Sequence, residues 1–250
     1  MAWLVTTSWD DGHPADSRVA EELTRRGLHG TFYPARECEG LARISPSAMK
    51  DLAALPGIEV GAHTLTHPDL RRLSDSAMLA EIAGSKDWLE GLLGREVPAF
   101  CYPRGLHNAR AAEQVRVAGF RSARTTKGGS TRLPHSPMTY ATTLQLYPHP
   151  RHIQLRHALK ERHWHGLARQ LSLRGWSKEP AALMTAFRRA GGDDGVLHLW
   201  GHSWEIERHD MWPQLGRALD CLKEIGTPLT NTAVVEAARA AAPGPTARRT

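Results

Sequence analysis

The chain of 250 residues lacks any run of about 20 apolar residues, so it predicts no membrane-spanning helix. Residues 1–3 show neither the basic start nor the long apolar stretch of a secretory signal, which leads us to expect a cytoplasmic protein. Only three cysteines are present, Cys38, Cys101 and Cys221. Their wide spacing and odd number argue against a disulfide framework and against a cysteine-rich zinc site.

Positive charge is concentrated in two segments of the chain. The formal net charge is +6, yet residues 151–178 alone hold seven Lys or Arg and one acid, and residues 239–250 hold three Arg and no acid. Such segments can attract an anionic substrate or form a solvated helix face, and no nucleic-acid-binding module accompanies them. With no repeat or linker visible, we expect one domain over 1–242 and a disordered basic tail over 243–250.

Strand-like and helix-like segments alternate along the chain. Apolar runs predict strands at 4–8, 30–34, 58–62, 97–102, 120–125 and 196–200, with weaker candidates at 138–146 and 228–230. Helical periodicity and capping residues predict helices at 14–26, 45–55, 74–93, 108–118, 152–173, 180–190, 211–225 and 231–242. This alternation favours an α/β fold with a parallel sheet, and about seven units suggest a barrel with its chemistry at the C-terminal strand ends.

Two adjacent carboxylates, Asp10 and Asp11, follow the first predicted strand and precede Gly12. Two charged groups on a strand are not both buried without partners, so we place them where the strand ends and the backbone turns. A pair in that position can divide its roles, one Asp binding a metal and the other handling protons. The alternative is that they cap the helix that follows.

A pair of histidines, His63 and His67, follows the third predicted strand. Side chains four residues apart lie together on one helical turn, and two imidazoles so placed suit zinc or a similar divalent cation. They lie on the same barrel rim as the Asp pair. One Asp with two His would leave coordination positions open for water and substrate.

The fourth strand ends in Pro103 and Gly105, which flank Arg104. These residues impose a turn that can point a backbone N–H inward, as an oxyanion hole requires. Arg104 can anchor a carboxylate or the substrate, or it can be an ordinary exposed arginine.

The late strand offers two histidines, His198 within it and His202 just past its end. The rim position favours His202 as the chemical group, while His198 can equally be a hydrogen-bonded interior residue. Trp9 and Trp204 offer flat apolar walls for stacking a sugar ring, and core packing is the alternative for each.

The ordered motifs resemble those of the polysaccharide deacetylase family, carbohydrate esterase family 4. They are Ser8-Trp9-Asp10-Asp11-Gly12, His63-x-x-x-His67, Tyr102-Pro103-x-Gly105 and a late strand with His. The resemblance covers about residues 4–205, and four motifs in order are far more specific than one. It implies a distorted (β/α) barrel with fewer than eight units. It also implies metal-dependent removal of N- or O-acetyl groups from a sugar, oligosaccharide or sugar conjugate, with Zn²⁺ as the expected ion.

The resemblance also implies a role for each matching residue. Asp10 would be the catalytic base, and His202 the general acid with His198 as the fallback. Tyr102 would stabilise the oxyanion through its backbone N–H. The metal ligands would be Asp11, His63 and His67.

The sequence departs from the family pattern in two places. Many members carry an Arg that steadies the base at the third motif, where this chain has Phe100-Cys101. That role would pass to Arg104, Arg121 or Arg124, or be absent. No segment between the third and the last motif clearly matches the family's Asp-and-Trp motif.

A sugar deacetylase is therefore the favoured hypothesis. One alternative is an amidohydrolase of the same scaffold acting on a small non-sugar amide or ureide. The other is a carbohydrate-binding module with a vestigial site.

Overall fold

The computed structural model describes residues 3–147 and 179–241. The predicted basic helix at 152–173 and the predicted tail at 243–250 lie outside the described residues. None of the helices in the described part is both long and apolar enough to cross a membrane.

Parallel strands form the centre of the described structure. All recorded strand pairings are parallel. The strands are β1 (Leu4–Asp11), β2 (Gly30–Pro34), β3 (Ile58–Val60), β4 (Ala99–Cys101), β5 (Ser122–Arg124), β6 (Leu144–Gln145), β7 (Val196–His202) and β8 (Thr227–Pro228).

The first seven strands follow one another around a ring. One sheet has the order β3-β2-β1-β7-β6, and β4 pairs separately with β5. A bridge between Ala62 and Phe100 joins the end of β3 to β4, and a bridge between Arg124 and Tyr140 joins β5 to the segment that leads into β6. The prediction of an α/β fold with parallel strands is confirmed, and the ring of seven accounts for a distorted barrel.

Helices and short turns connect the strands, and the predicted helices that fall within the described residues agree with them to within two residues at each end. They are α1 (Asp16–Arg26), α2 (Pro46–Ala54), α3 (Asp75–Leu93), α4 (Ala109–Val117), α5 (Pro180–Ala190), α6 (Ser203–Arg208), α7 (Trp212–Ile225) and α8 (Asn231–Ala241). The short helix α6 was not predicted. Side-chain caps explain the sharp starts of three helices, since Ser45, Ser74 and Asn108 each accept a hydrogen bond from the N–H three residues later.

Strand β1 is the longest of the described strands and positions the rim residues. It pairs with β2 on one side and with β7 on the other, and every residue from Val5 to Asp11 is buried. The register sets Asp10 opposite His202 of β7. Two groups that are 192 positions apart in the sequence therefore meet at the same end of the ring.

The turn after β1 provides a test of the close packing at this rim. Gly12 has a φ of 75°, and an added Cβ would lie 2.7 Å from Cβ and 2.9 Å from Cα of Pro34. Gly27 has a similar φ of 68° with nothing within 4 Å. We expect Gly27→Ala to lower the free energy of unfolding by about 1 kcal/mol, the cost of a left-handed residue. Gly12→Ala should lower it by a further ~1–3 kcal/mol because of overpacking. Urea unfolding measures both values, and equal losses would contradict the close approach.

Candidate metal and catalytic site

The two adjacent aspartates occupy the last two positions of β1. Asp10 is 2% exposed and Asp11 is 6% exposed, so both carboxylates lie in the interior of the rim. Asp11 has a φ of 78°, which turns the chain out of the strand. The helix-cap alternative is wrong, because α1 begins after Ala15 and makes no side-chain cap bond.

His63 and His67 lie together in a loop rather than on a helical turn. Thr64 and His67 have φ values of 67° and 56°, and these left-handed residues fold the loop back on itself. Thr64 Oγ1 accepts the His67 N–H at 3.0 Å, and Glu81 of α3 accepts the N–H groups of residues 65 and 66, each at 2.9 Å. His63 and His67 are therefore close together, as predicted. The left-handed loop and its hydrogen bonds to Glu81 bring them together, rather than a helical turn.

The structure brings Asp11, His63 and His67 to one point. Both Nε2 atoms lie 3.8 Å from Asp11 Oδ1, and the three ligand atoms are all within 4.8 Å of one another. Asp11 Oδ1 is buried and has no hydrogen-bond partner in the described part of the chain, whereas Oδ2 accepts the indole N–H of Trp204 at 2.9 Å. A buried carboxylate oxygen without a donor costs free energy, and a divalent cation between it and two imidazoles would remove that cost.

The orientation of His63 and the burial of His67 suit a metal. His63 Nδ1 donates to the carbonyl oxygen of Cys101 at 2.7 Å, so Nε2 is the ring atom that faces Asp11. Burial, together with the neighbouring His63, lowers the pKa of His67. A neutral ring is the form that binds a cation. This set of donors therefore fits a divalent metal ion.

Asp10 is paired with Arg124 inside the ring. Both side chains are buried, and an Arg124 Nη2 donates to Asp10 Oδ1. Burial would raise the pKa of Asp10, but the charge and hydrogen bond of Arg124, with the nearby His63 and His202, lower it to about 2. Asp10 is therefore a carboxylate at neutral pH.

Arg124 takes the position left open by the missing family arginine. Arg124 of β5 is the register partner of Cys101 of β4. The Arg124 guanidinium therefore extends from the position next to the small Cys101 side chain. Of the three candidates, Arg121 is half-exposed and bound to two glutamates on the surface, and Arg104 is exposed.

His202 is the last residue of β7 and faces the same point. Its Nε2 lies 3.8 Å from Asp11 Oδ2, and its Nδ1 lies 2.8 Å from Glu205 Oε2. Burial would lower the pKa of His202, but the hydrogen bond to Glu205 and the charge of Asp11 raise it to about 9. The ring is therefore protonated at neutral pH and can donate a proton.

Sequence reasoning missed Glu205 and the buried Asp16. Glu205 is 2% exposed in the first turn of α6, and Asp16 of α1 accepts the hydroxyl of Ser203 at 2.6 Å, fixing the start of that helix. The spacing of Glu205 three residues after His202 was the available signal. That spacing brings the two side chains together only if a helix begins directly after the strand.

Three sequence-based assignments need correction or restriction. Trp9 is fully buried and donates its indole N–H to Thr7 Oγ1, so it packs in the core and cannot stack on a sugar. His198 is fully buried and its Nε2 lies 2.8 Å from Ser8 Oγ, inside the ring rather than at the rim. Trp204 remains partly exposed at the site, where it binds Asp11 through its N–H.

The assignment of Tyr102 as oxyanion donor is wrong. Its backbone N–H donates to the carbonyl oxygen of Arg124 at 3.1 Å, because the β4–β5 pairing continues one residue past β4. Its hydroxyl donates to the carbonyl oxygen of Met138 at 3.0 Å, and the side chain is fully buried. Tyr102 therefore stabilises the ring of strands and offers no free donor.

The fold and the site define an α/β barrel protein with a candidate divalent-metal centre and an acid–base pair at one rim. Residues 3–123 match the family described as polysaccharide deacetylase. That match spans almost half of the chain, and it is to the family that the ordered motifs resemble.

Individual relatives agree with this family. YxkH of Bacillus subtilis (strain 168), which carries the name of a candidate polysaccharide deacetylase, is 23% identical over 128 residues. That match covers 50% of this chain and 46% of YxkH, so the chain aligns with about half of that relative.

Solved structures share the fold over nearly the whole chain. The chitin deacetylase of Colletotrichum lindemuthianum aligns with a TM-score of 0.59 at 16% identity, covering 93% of this chain and 87% of that one. The peptidoglycan deacetylase PdaC of Bacillus subtilis aligns with a TM-score of 0.56 at 17% identity, covering 96% and 94%.

The buried pair of Asp10 and Arg124 yields a stability prediction. We expect Arg124→Met to lower the free energy of unfolding by about 3–5 kcal/mol, because it leaves a buried carboxylate without its partner. The double variant with Asp10→Asn should lose less than the sum of the two single losses. The exposed Arg121→Met, measured by the same urea unfolding, should stay within about 1 kcal/mol of the unchanged protein. Additive losses would show that the two groups do not interact.

Proposed function

We propose that this protein is a metal-dependent hydrolase that removes an N-acetyl, or O-acetyl, group from a sugar or sugar conjugate. The observation that carries the proposal is the buried, donor-less Oδ1 of Asp11, with His63 Nε2 and His67 Nε2 each 3.8 Å away. Two imidazoles and one carboxylate leave coordination positions open, which is typical of catalytic Zn²⁺ sites, so Zn²⁺ is the proposed ion. When bound, such an ion polarises a carbonyl and acidifies water.

The chain's own residues divide the proton transfers. Asp10 accepts the proton of the attacking water, since Arg124 keeps its carboxylate ionised. His202, protonated and held by Glu205 through Nδ1, donates a proton from Nε2 to the departing amine. An amide leaving group needs that proton, so a base and an acid at neighbouring positions of one rim suit amide hydrolysis.

A backbone donor for the developing oxyanion remains at the third motif. Arg104 has a φ of 57° in the short turn Pro103–Gly105, and its N–H has no hydrogen-bond acceptor among the residues that the structure describes. An added Cβ at Gly105 would lie 2.6 Å from the backbone nitrogen of Thr126, so this turn is closely packed. We assign the oxyanion role to the Arg104 N–H instead of the Tyr102 N–H.

The names of the relatives favour an acetylated sugar substrate. Two of the solved structures with this fold are described as deacetylases of chitin and of peptidoglycan. A small non-sugar amide is not favoured by these relatives. A vestigial binding module is not favoured either, because both members of the acid–base pair have their partners.

The proposal is tested by acetate release from N-acetylglucosamine oligomers. The zinc-loaded protein should release acetate, and chelation should abolish the release and added zinc should restore it. Asp10→Asn, Asp11→Asn and His202→Asn should each lower kcat/KM by at least about 100-fold, since each removes a group that acts on the reacting atoms.

The control variant is Asp220→Asn, which removes an exposed carboxylate bound to Arg26 on the surface. It should leave kcat/KM unchanged. The absence of hydrolysis across N- and O-acetylated sugars, with zinc bound, would rule out the proposed function.

A further inference from the structure

An apolar groove opens beside the candidate metal site, between the loop after β2 and helix α3. Its volume is about 380 Å³. Gly12, the residue after Asp11, is one of its lining residues, and the Gly12 carbonyl oxygen accepts the N–H of Ile44 at 2.8 Å. The apolar wall consists of Met49, Trp88 and Leu92. Trp88 and Leu92 are only half-buried, so the groove leaves apolar surface available to a ligand.

Two arginines, Arg36 and Arg43, are the charged residues among the described residues that line this groove. Both are exposed, and neither has a carboxylate within 4 Å in the described part of the chain. Arg43 Nη1 donates to the carbonyl oxygen of Arg36 at 3.1 Å, which holds the two residues side by side. Two guanidinium groups without acidic partners at the edge of an apolar groove complement an anion attached to an apolar chain.

Arg43 also borders a second cavity, whose lining includes a residue of the loop between His63 and His67. This cavity has a volume of about 560 Å³ and reaches Thr66, the residue before His67. Glu37 and Glu39 line it, so its own charge is less favourable to an anion than that of the groove. Arg43 therefore lies between the apolar groove and a cavity that borders the loop of His63 and His67.

We propose that the groove binds the aliphatic chain of a substrate whose N-acetylated sugar is joined to that chain through a phosphate. The phosphate binds Arg36 and Arg43, the chain packs against Trp88 and Leu92, and the sugar lies on the side of Asp11. This inference rests on the proposed function, because it names the substrate class of the same site.

Calorimetric binding to the zinc-loaded His202→Asn variant, which keeps the three proposed metal ligands, tests the groove with little turnover. The probes are N-acetylglucosamine 1-phosphate esterified with a ten-carbon chain, the same compound with a methyl group, and the neutral ten-carbon glycoside. The ten-carbon phosphodiester should bind at least about tenfold more tightly than either of the others, since a few buried methylenes or one charge-assisted contact suffice for that ratio.

Matched variants show whether the groove residues cause these differences in affinity. In the same background, Leu92→Asp should remove the advantage of the long chain, and Arg43→Gln should remove the advantage of the phosphate. Leu79→Asp changes a leucine on α3 that is 41% exposed and outside the groove, and Arg116→Gln changes an exposed arginine on α4. Both control variants should bind all three probes as the background does.

Equal affinity for the ten-carbon and methyl phosphodiesters would overturn the proposal. It would also be overturned if Leu92→Asp and Arg43→Gln both kept the full preference for the ten-carbon phosphodiester. Acetate release by the unchanged, zinc-loaded protein is measured with the same three probes. If acetate is released but the affinity depends on neither the ten-carbon chain nor the phosphate, the groove proposal is refuted and the proposed function stands. Groove-dependent binding without release from any acetylated sugar supports the groove and refutes the proposed function.

Discussion

The buried ion pair between Asp10 and Arg124 is the interaction on which the site depends. It joins β1 to β5, two strands that do not pair with each other, and so it crosses the interior of the ring. Removing either partner would leave an uncompensated charge in the interior, which is among the most costly changes a fold can suffer. The same contact keeps Asp10 ionised despite its burial. One interaction therefore contributes to the stability of the barrel and to the availability of a base.

The neighbouring residue shows how one backbone turn separates two kinds of chemistry. Asp10 still belongs to the strand and points to Arg124, while Asp11 adopts a φ of 78° and faces His63 and His67. A donor-rich environment surrounds the first carboxylate, whereas one oxygen of the second has no donor at all in the described residues. Proton transfer suits the first environment and cation binding suits the second. Adjacent identical side chains thus lie in different surroundings because the chain turns between them.

The histidine at the end of β7 depends on a helix that follows it directly. Glu205 reaches back to His202 because α6 begins at the next residue, and Ser203 fixes that start by its bond to Asp16 of α1. The family's Asp-and-Trp motif has no counterpart in the sequence, yet a buried carboxylate is still present beside the acid. The carboxylate comes from the C-terminal side of the histidine in the chain. A search of the sequence before His202 for the family motif therefore could not find the Glu205 carboxylate.

The sequence by itself determined the alternation of strands and helices, and it identified the motifs that lie at the rim. Helix caps, apolar periodicity and residue spacing are local properties, so they can be recognised without tertiary contacts. Only the tertiary structure decided which arginine pairs with Asp10 and which backbone N–H of the third motif is free. Those answers follow from the register of β4 against β5, which sets Arg124 opposite Cys101 and occupies the Tyr102 N–H. Strand register and burial depend on residues far apart in the chain, and local pattern carries no information about them.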